Sequence, residues 1–132
     1  KASTINRKYT KVLGVSILTS LDSKQTKKYF NENNIETLVK KFSKEAKKQK
    51  LDGIVCSPKE IKLIRKEVGK KFIIVTPGIR LSNETRVGDD QNRVLSPSEA
   101  IGLGADLLVI GRPIMRSKDP LNTLKEINKS LR

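Results

Sequence analysis

Four short apolar runs, each rich in β-branched residues, constrain this chain more than any other feature. They are "VLGVSIL" (12–18), "DGIVC" (52–56), "FIIVT" (72–76) and "DLLVIG" (106–111). Runs this short, apolar on both faces and bounded by turn residues, read as buried strands. Between them lie helical patterns with start signals. Asn34 is placed to cap a helix carrying Ile35, Leu38, Val39, Phe42 and Ala46 at helical spacing. Ser57-Pro58-Lys59-Glu60 is a capping box with proline at the first helical position, continued by Ile61, Ile64 and Val68 and closed by Gly69. Ser96-Pro97-Ser98-Glu99 repeats that box and starts a short helix ending near Gly102 or Gly104. Asp119-Pro120 caps a last helix, with Leu121, Leu124, Ile127 and Leu131 expected on its inner face. The segment between the first run and Asn34 reads as a polar connection.

The order β-α-β-α-β-α-β-α predicts an α/β fold, a parallel sheet covered by helices. "LDGIVCSPKE" and "GADLLVIGRP" share an acid-then-apolar pattern, as repeated βα units should. There is neither a linker nor a low-complexity tract, so residues 1–132 read as one domain. Two architectures remain open on pattern alone: a small flavodoxin-like sheet, or the last four strands of a (β/α)₈ barrel. Residues 1–10, "KASTINRKYT", read as the end of a preceding helix, as though the chain were cut from something larger.

Composition enters where it excludes classes. The formal net charge is +14, mostly lysine. Lys40, Lys41, Lys44, Lys47, Lys48, Lys62 and Lys66 fall between apolar helix positions, on expected solvent faces. No aromatic stacking residues are interleaved with them, as a single-strand binder would need. A specific nucleic-acid partner is therefore not expected. The single cysteine excludes an internal disulfide and fits a reducing compartment. No apolar run approaches the roughly 18 residues that span a bilayer, and no signal-peptide core is present. A soluble cytoplasmic protein without a membrane partner is the expectation.

Ligands of parallel α/β folds bind at the C-terminal ends of the strands. The last two runs end in Gly78-Ile79-Arg80 and Gly111-Arg112. A glycine lets an anion approach the backbone, and an arginine offers two donors in a fork. In (β/α) barrels the loops after strands 7 and 8 commonly hold phosphate, so these two ends predict a phosphate pocket. The competing reading pairs the arginines with Asp89, Asp90 or Asp119 on the surface. With no histidine in the chain, Cys56 lacks a base and reads as a structural thiol, and a zinc site is not expected. Asp89-Asp90 could meet Mg²⁺ beside a phosphate, but reads first as a solvated pair. The polar stretch after Arg80 has no periodicity, and long loops of this kind in compact domains are functional or disordered.

These segments together, "LGVSILTSLD", "LDGIVCSPKE", "VTPGIR…DDQNRV", "SPSEAIGLGADLLVIGRPI" and "SKDP", resemble the orotidine 5′-phosphate decarboxylase family, in the same order and over nearly the whole chain. The resemblance implies the C-terminal half of a TIM (β/α)₈ barrel. It implies a decarboxylase of pyrimidine biosynthesis that converts orotidine monophosphate to UMP with neither cofactor nor metal. By the same resemblance Thr19 is a hydroxyl contact near the pyrimidine, and Arg80 lies at the base of the phosphate loop. Gln91 reaches across to phosphate and base, while Gly111 and Arg112 hold the phosphate. The long loop becomes a lid over the phosphate. Leu81 departs from the proline expected after Gly-Ile-Arg.

The larger departure is an absence. The family's Asp-x-Lys-x-x-Asp array, whose lysine protonates the developing carbanion, does not occur here. Asp22-Ser23-Lys24 follows the wrong strand and lacks the second aspartate. No catalytic residue is expected in this chain, and it should not decarboxylate alone. Its implied partners are the nucleotide and either the missing N-terminal half or a second copy. A non-catalytic phosphate-binding half-barrel remains the alternative.

Overall fold

The computed structural model describes residues 10–17, 21–81 and 95–131. Strands β1 (Leu13–Val15), β2 (Gly53–Val55), β3 (Ile73–Pro77) and β4 (Leu107–Val109) form one sheet in the order β1-β2-β3-β4, every pair parallel. Helices α1 (Ser23–Phe30) and α2 (Ile35–Lys48) connect the first pair of strands, and α3 (Ile61–Val68) the second. Then come α4 (Pro97–Gly102), a four-residue α5 (Arg112–Met115) and α6 (Pro120–Ser130).

The capping signals act as the sequence implies. The Asn34 side chain accepts from Thr37 N at 3.1 Å. Both serine boxes close reciprocally, at Ser57/Glu60 and at Ser96/Glu99. The first box opens on a short 3₁₀ turn, Pro58–Glu60, before α3 begins. Gly69 ends α3 with φ of 78°, a conformation that penalises any residue with a Cβ.

Two expectations are corrected. The polar connection after β1 contains a helix, α1, capped by Asp22 and Gln25: Gln25 N donates to Asp22 Oδ1 at 2.8 Å and Asp22 N to Gln25 Oε1 at 2.9 Å. Its sequence carries almost no apolar stripe, and Thr26 is its buried residue. The inner face expected of α6 is also mostly uncovered. Ile127 is 3% exposed, but Leu121 is 63% exposed, and Leu124 and Leu131 are exposed too. The physical reason is that β4 is an edge strand, and among the described residues nothing lies beyond it to cover α6.

The core fills the space between one sheet face and the helices. Ile54 and Ile74 point into it with Val39, Ile61, Ile64 and Val68, all nearly inaccessible, and Leu108 packs against them. Val15, Val55, Val75 and Leu107 share one register row on the opposite face. There Val15 is 61% exposed, Leu107 56% and Val109 53%. The strands are apolar on both faces, and among the described residues the second face is open at β1 and β4 while Val75 of β3 is buried.

The repeated acid-then-apolar pattern has a geometric meaning. Asp52, just before β2, accepts from Val12 N at 2.8 Å, and Asp106, just before β4, accepts from Ile74 N at 2.7 Å. Each aspartate thus fastens its strand to the preceding neighbour. Arg65 adds a cross-link from α3, donating to Asp106 at 2.6 Å and to Phe72 O at 2.8 Å.

Candidate functional site

β3 and β4 are adjacent, and Pro77 is paired with Val109 at their C-terminal ends. Arg80 lies three residues beyond the one and Arg112 three beyond the other, so the register delivers both arginines to the same end of the sheet. Gly78 turns the chain at φ +77°, which favours glycine. Ile79 then enters the core at 3% exposure, and Arg80 is half-buried with its N–H donated to Leu95 O at 3.2 Å. That bond draws together the two ends of the segment 81–94.

Gly111 ends the β4 side differently. It is the N-cap of α5, with φ −110°, so its value lies in space rather than in torsion. A Cβ there would meet nothing within 4 Å, and the position faces open volume. Arg112 opens α5 and is exposed, and the carbonyl of Gly111 receives Ile114 N and Met115 N. Sequence reasoning did not foresee α5; its signal was Pro113, at the second helical position. Of the expected site residues, Thr19 and Gln91 lie outside the described residues, as do Asp89 and Asp90.

Other polar residues at these strand ends point inward. Cys56, Ser57 and Thr76 are buried, with Cys56 Sγ 4.0 Å from Thr76 Oγ1. Burial pushes the Cys56 thiol up to about 12, against a smaller lowering by Thr76. It stays protonated at neutral pH and has no nucleophilic character. Glu60 is half-buried and accepts from Ser57 N at 3.1 Å and, at the long limit of 3.4 Å, from Ser16 Oγ. Burial raises its pKa against the lowering by those hydrogen bonds. Glu99, in the same sequence context, is fully exposed, and the Ser96 hydroxyl holds its pKa below the usual range. Among the described residues, no three His, Cys, Asp or Glu side chains converge as a metal ion requires, and no helix is long and apolar enough to cross a membrane.

The arrangement can bind an anion through backbone and guanidinium groups at two adjacent strand ends. Among the described residues, no pair of titratable groups at those ends is placed for acid–base work.

Comparison with known proteins gives the same architecture a family. Residues 1–127 match the sequence profile of the Orotidine 5'-phosphate decarboxylase / HUMPS family. The chain is 46% identical over 121 residues to the orotidine 5'-phosphate decarboxylase of Coxiella burnetii, covering 92% of this chain and 50% of that protein. It is 43% identical over 117 residues to that of Citrifermentans bemidjiense, covering 89% and 48%. In structure it resembles orotidine 5'-phosphate decarboxylase from Lactobacillus acidophilus, with a TM-score of 0.76 at 31% identity over 92% of this chain and 49% of that one. The chain spans about half the length of the curated relatives it matches. Its four parallel βα units are half of a TIM barrel. The chain belongs to the orotidine 5'-phosphate decarboxylase / HUMPS family.

Proposed function

We propose that this chain is the C-terminal half of an orotidine 5′-phosphate decarboxylase and supplies its phosphate-binding end. The observation that carries the reading is the pairing of Pro77 with Val109, which sets Arg80 and the Gly111-Arg112 turn at one end of adjacent strands. In the assembled barrel Arg112 grips the phosphate of orotidine monophosphate with its guanidinium fork, and Gly111 leaves room for the phosphate oxygens. Arg80 sets the base of the segment 81–94, from which Gln91 reaches phosphate and base, and Thr19 contacts the pyrimidine. Phosphate is remote from the bond that breaks. Its binding energy therefore serves to hold the ligand and exclude water, and so raises the chemical rate.

Decarboxylation breaks the bond between the pyrimidine ring and its carboxylate, releases CO₂ and leaves an electron pair on the ring carbon. A proton donor must then supply the hydrogen of UMP. This chain has no Asp-x-Lys-x-x-Asp to do so. The chain alone is inactive, and the donor comes from an N-terminal half. In this reading the polypeptide that completes the barrel is that N-terminal half. In the cytoplasm, with no cofactor required, the assembled protein would serve UMP formation.

The test is calorimetry on this chain combined with an N-terminal half. UMP should bind far more tightly than uridine, which differs only in lacking the phosphate. Equal affinities would remove the phosphate site from these strand ends.

A further inference from the structure

The positive charge of this protein is concentrated on two adjacent helices. Residues 35–71 hold twelve Lys or Arg and five Asp or Glu, so little more than a quarter of the chain carries a net +7 of the total +14. On α2, Lys40, Lys41, Lys44, Lys47 and Lys48 fall within about 120° of one another at roughly 100° per residue. They lie opposite the buried Leu38, Val39, Ser43 and Ala46. On α3, Lys62 and Lys66 are exposed opposite the buried Ile61, Ile64 and Val68. The helices pack side by side, and Lys44 Nζ reaches across to Glu67 at 3.0 Å, so the two rows form one face.

We propose that this face binds the phosphate backbone of a double-stranded nucleic acid without reading its bases. The proposal goes beyond the functional reading and does not depend on the strand-end pocket. The charge of the face is largely uncompensated. Lys40, Lys41, Lys48, Lys62 and Lys66 have no carboxylate partner among the described residues. The nearby carboxylates are engaged elsewhere: Glu67 by Lys44, Glu45 by the Gln49 amide at 2.7 Å, and Glu60 by Ser57 N at 3.1 Å. Lys40, Lys44 and Lys48 recur every four residues, a step of about 6 Å along the helix, which suits a linear polyanion better than one isolated anion. Lysine holds phosphate as a point charge, without the planar fork that reads guanine edges. Phe42, the one aromatic residue of α2, packs against the core, so no ring is offered to an unstacked base.

A bilayer or a protein partner fits this face less well. Among the described residues, α2 and α3 expose no large apolar side chain, and their apolar sides are spent on the core. A helix lying in a membrane surface needs that side free to insert, and a protein interface needs buried apolar or aromatic anchors. A duplex asks for neither. It carries one charge per roughly 1.7 Å of its axis, and each lysine that neutralises a phosphate releases condensed counterions.

Fluorescence anisotropy of a labelled DNA duplex, titrated with the purified protein at several salt concentrations, tests this. Binding is expected at about 10⁻⁴–10⁻⁶ M at physiological salt, whatever the base sequence. Log affinity should fall against log salt with a slope of about −4 to −5, for about five neutralised phosphates. Lys41→Gln, Lys48→Gln, Lys62→Gln and Lys66→Gln combined should weaken binding at least about tenfold and make the slope shallower by about 3 to 4. Lys24→Gln, Lys118→Gln, Lys125→Gln and Lys129→Gln combined make the same change of net charge elsewhere and should alter the slope by less than about 1. All eight side chains are exposed, so neither variant removes core packing. Excess UMP should not displace the duplex, since Arg80 and Arg112 lie at the strand ends and not on this face. Duplex binding without a preference for UMP over uridine would sink the phosphate-pocket reading alone. Absence of duplex binding, equal losses from the two combined variants, displacement by UMP, or tighter binding to phosphatidylserine vesicles than to the duplex would each overturn the proposal.

Discussion

Arg112 concentrates the functional reading in one side chain. It follows a glycine facing open volume, at the end of a strand whose neighbour carries Arg80 at the same offset. Charge-assisted forks are about twice as strong as neutral hydrogen bonds, and lysine keeps the charge without the fork. In the assembled two-half protein, Arg112→Ala should weaken UMP binding by about 2–4 kcal/mol, the range for truncating one member of a buried charge pair. Uridine binding should hardly change, and Arg112→Lys should restore part of the loss; calorimetry reads all three. Gly53 is the structural counterpart. A Cβ there would lie 2.7 Å from Ile73 Cβ and collide with the Ile73 carbonyl oxygen in the middle of the sheet. Gly53→Ala should cost about 1–3 kcal/mol in urea unfolding, as overpacking does. Cys56 offers a chemical check. Its thiol, 2% exposed and pushed up to about 12, should resist a disulfide-exchange reagent at pH 8 and react at once in denaturant.

At the scale of elements, one four-residue signature appears twice with opposite electrostatics. In Ser57–Glu60 the glutamate is half-buried and its pKa is raised by burial; in Ser96–Glu99 it is exposed and its pKa is lowered by the Ser96 hydroxyl. The sign of the linkage follows from the protons held. Between the ordinary value of 4.5 and Glu60's raised folded value, the folded protein binds more protons than the unfolded chain, so stability falls as pH rises through that window. Glu99 contributes in the other direction, with stability present above the ordinary value and lost as pH falls through its lowered one. Glu60→Gln should flatten the loss of stability above pH 4.5, measured by urea unfolding at a series of pH values, while Glu99→Gln should leave that window unchanged. Both boxes were legible because a capping box is a local pattern. α1 was not, because SKQTKKYF buries chiefly Thr26 and offers no apolar stripe; the Asp22/Gln25 box was the only signal it carried. The inner face of α6 was legible as apolar, yet its cover could not be read, since periodicity records what a helix wants to bury and not what is there to bury it.

The whole molecule was legible to the level of a half-barrel because its units repeat. Four apolar runs, each leading to a helix, imply a parallel sheet, and the aspartates before β2 and β4 make the same backbone bond in both places. Which sheet face stays open was not legible, since Val15, Leu107 and Val109 are as apolar as the buried Ile54 and Ile74. The two glycine–arginine strand ends of the candidate site were legible in the sequence, and the register places them at the same end of the sheet. Thr19 and Gln91 rest on family resemblance alone. The sequence carries no Asp-x-Lys-x-x-Asp, and under the proposed function the proton donor for the carbanion comes from an N-terminal half. The direct measurement is release of CO₂ from orotidine monophosphate by the purified chain, by an N-terminal half carrying Asp-x-Lys-x-x-Asp, and by the two mixed. Turnover should appear in the mixture and in neither part alone. Turnover by this chain alone, or none from a folded one-to-one complex of the two halves, would contradict the account.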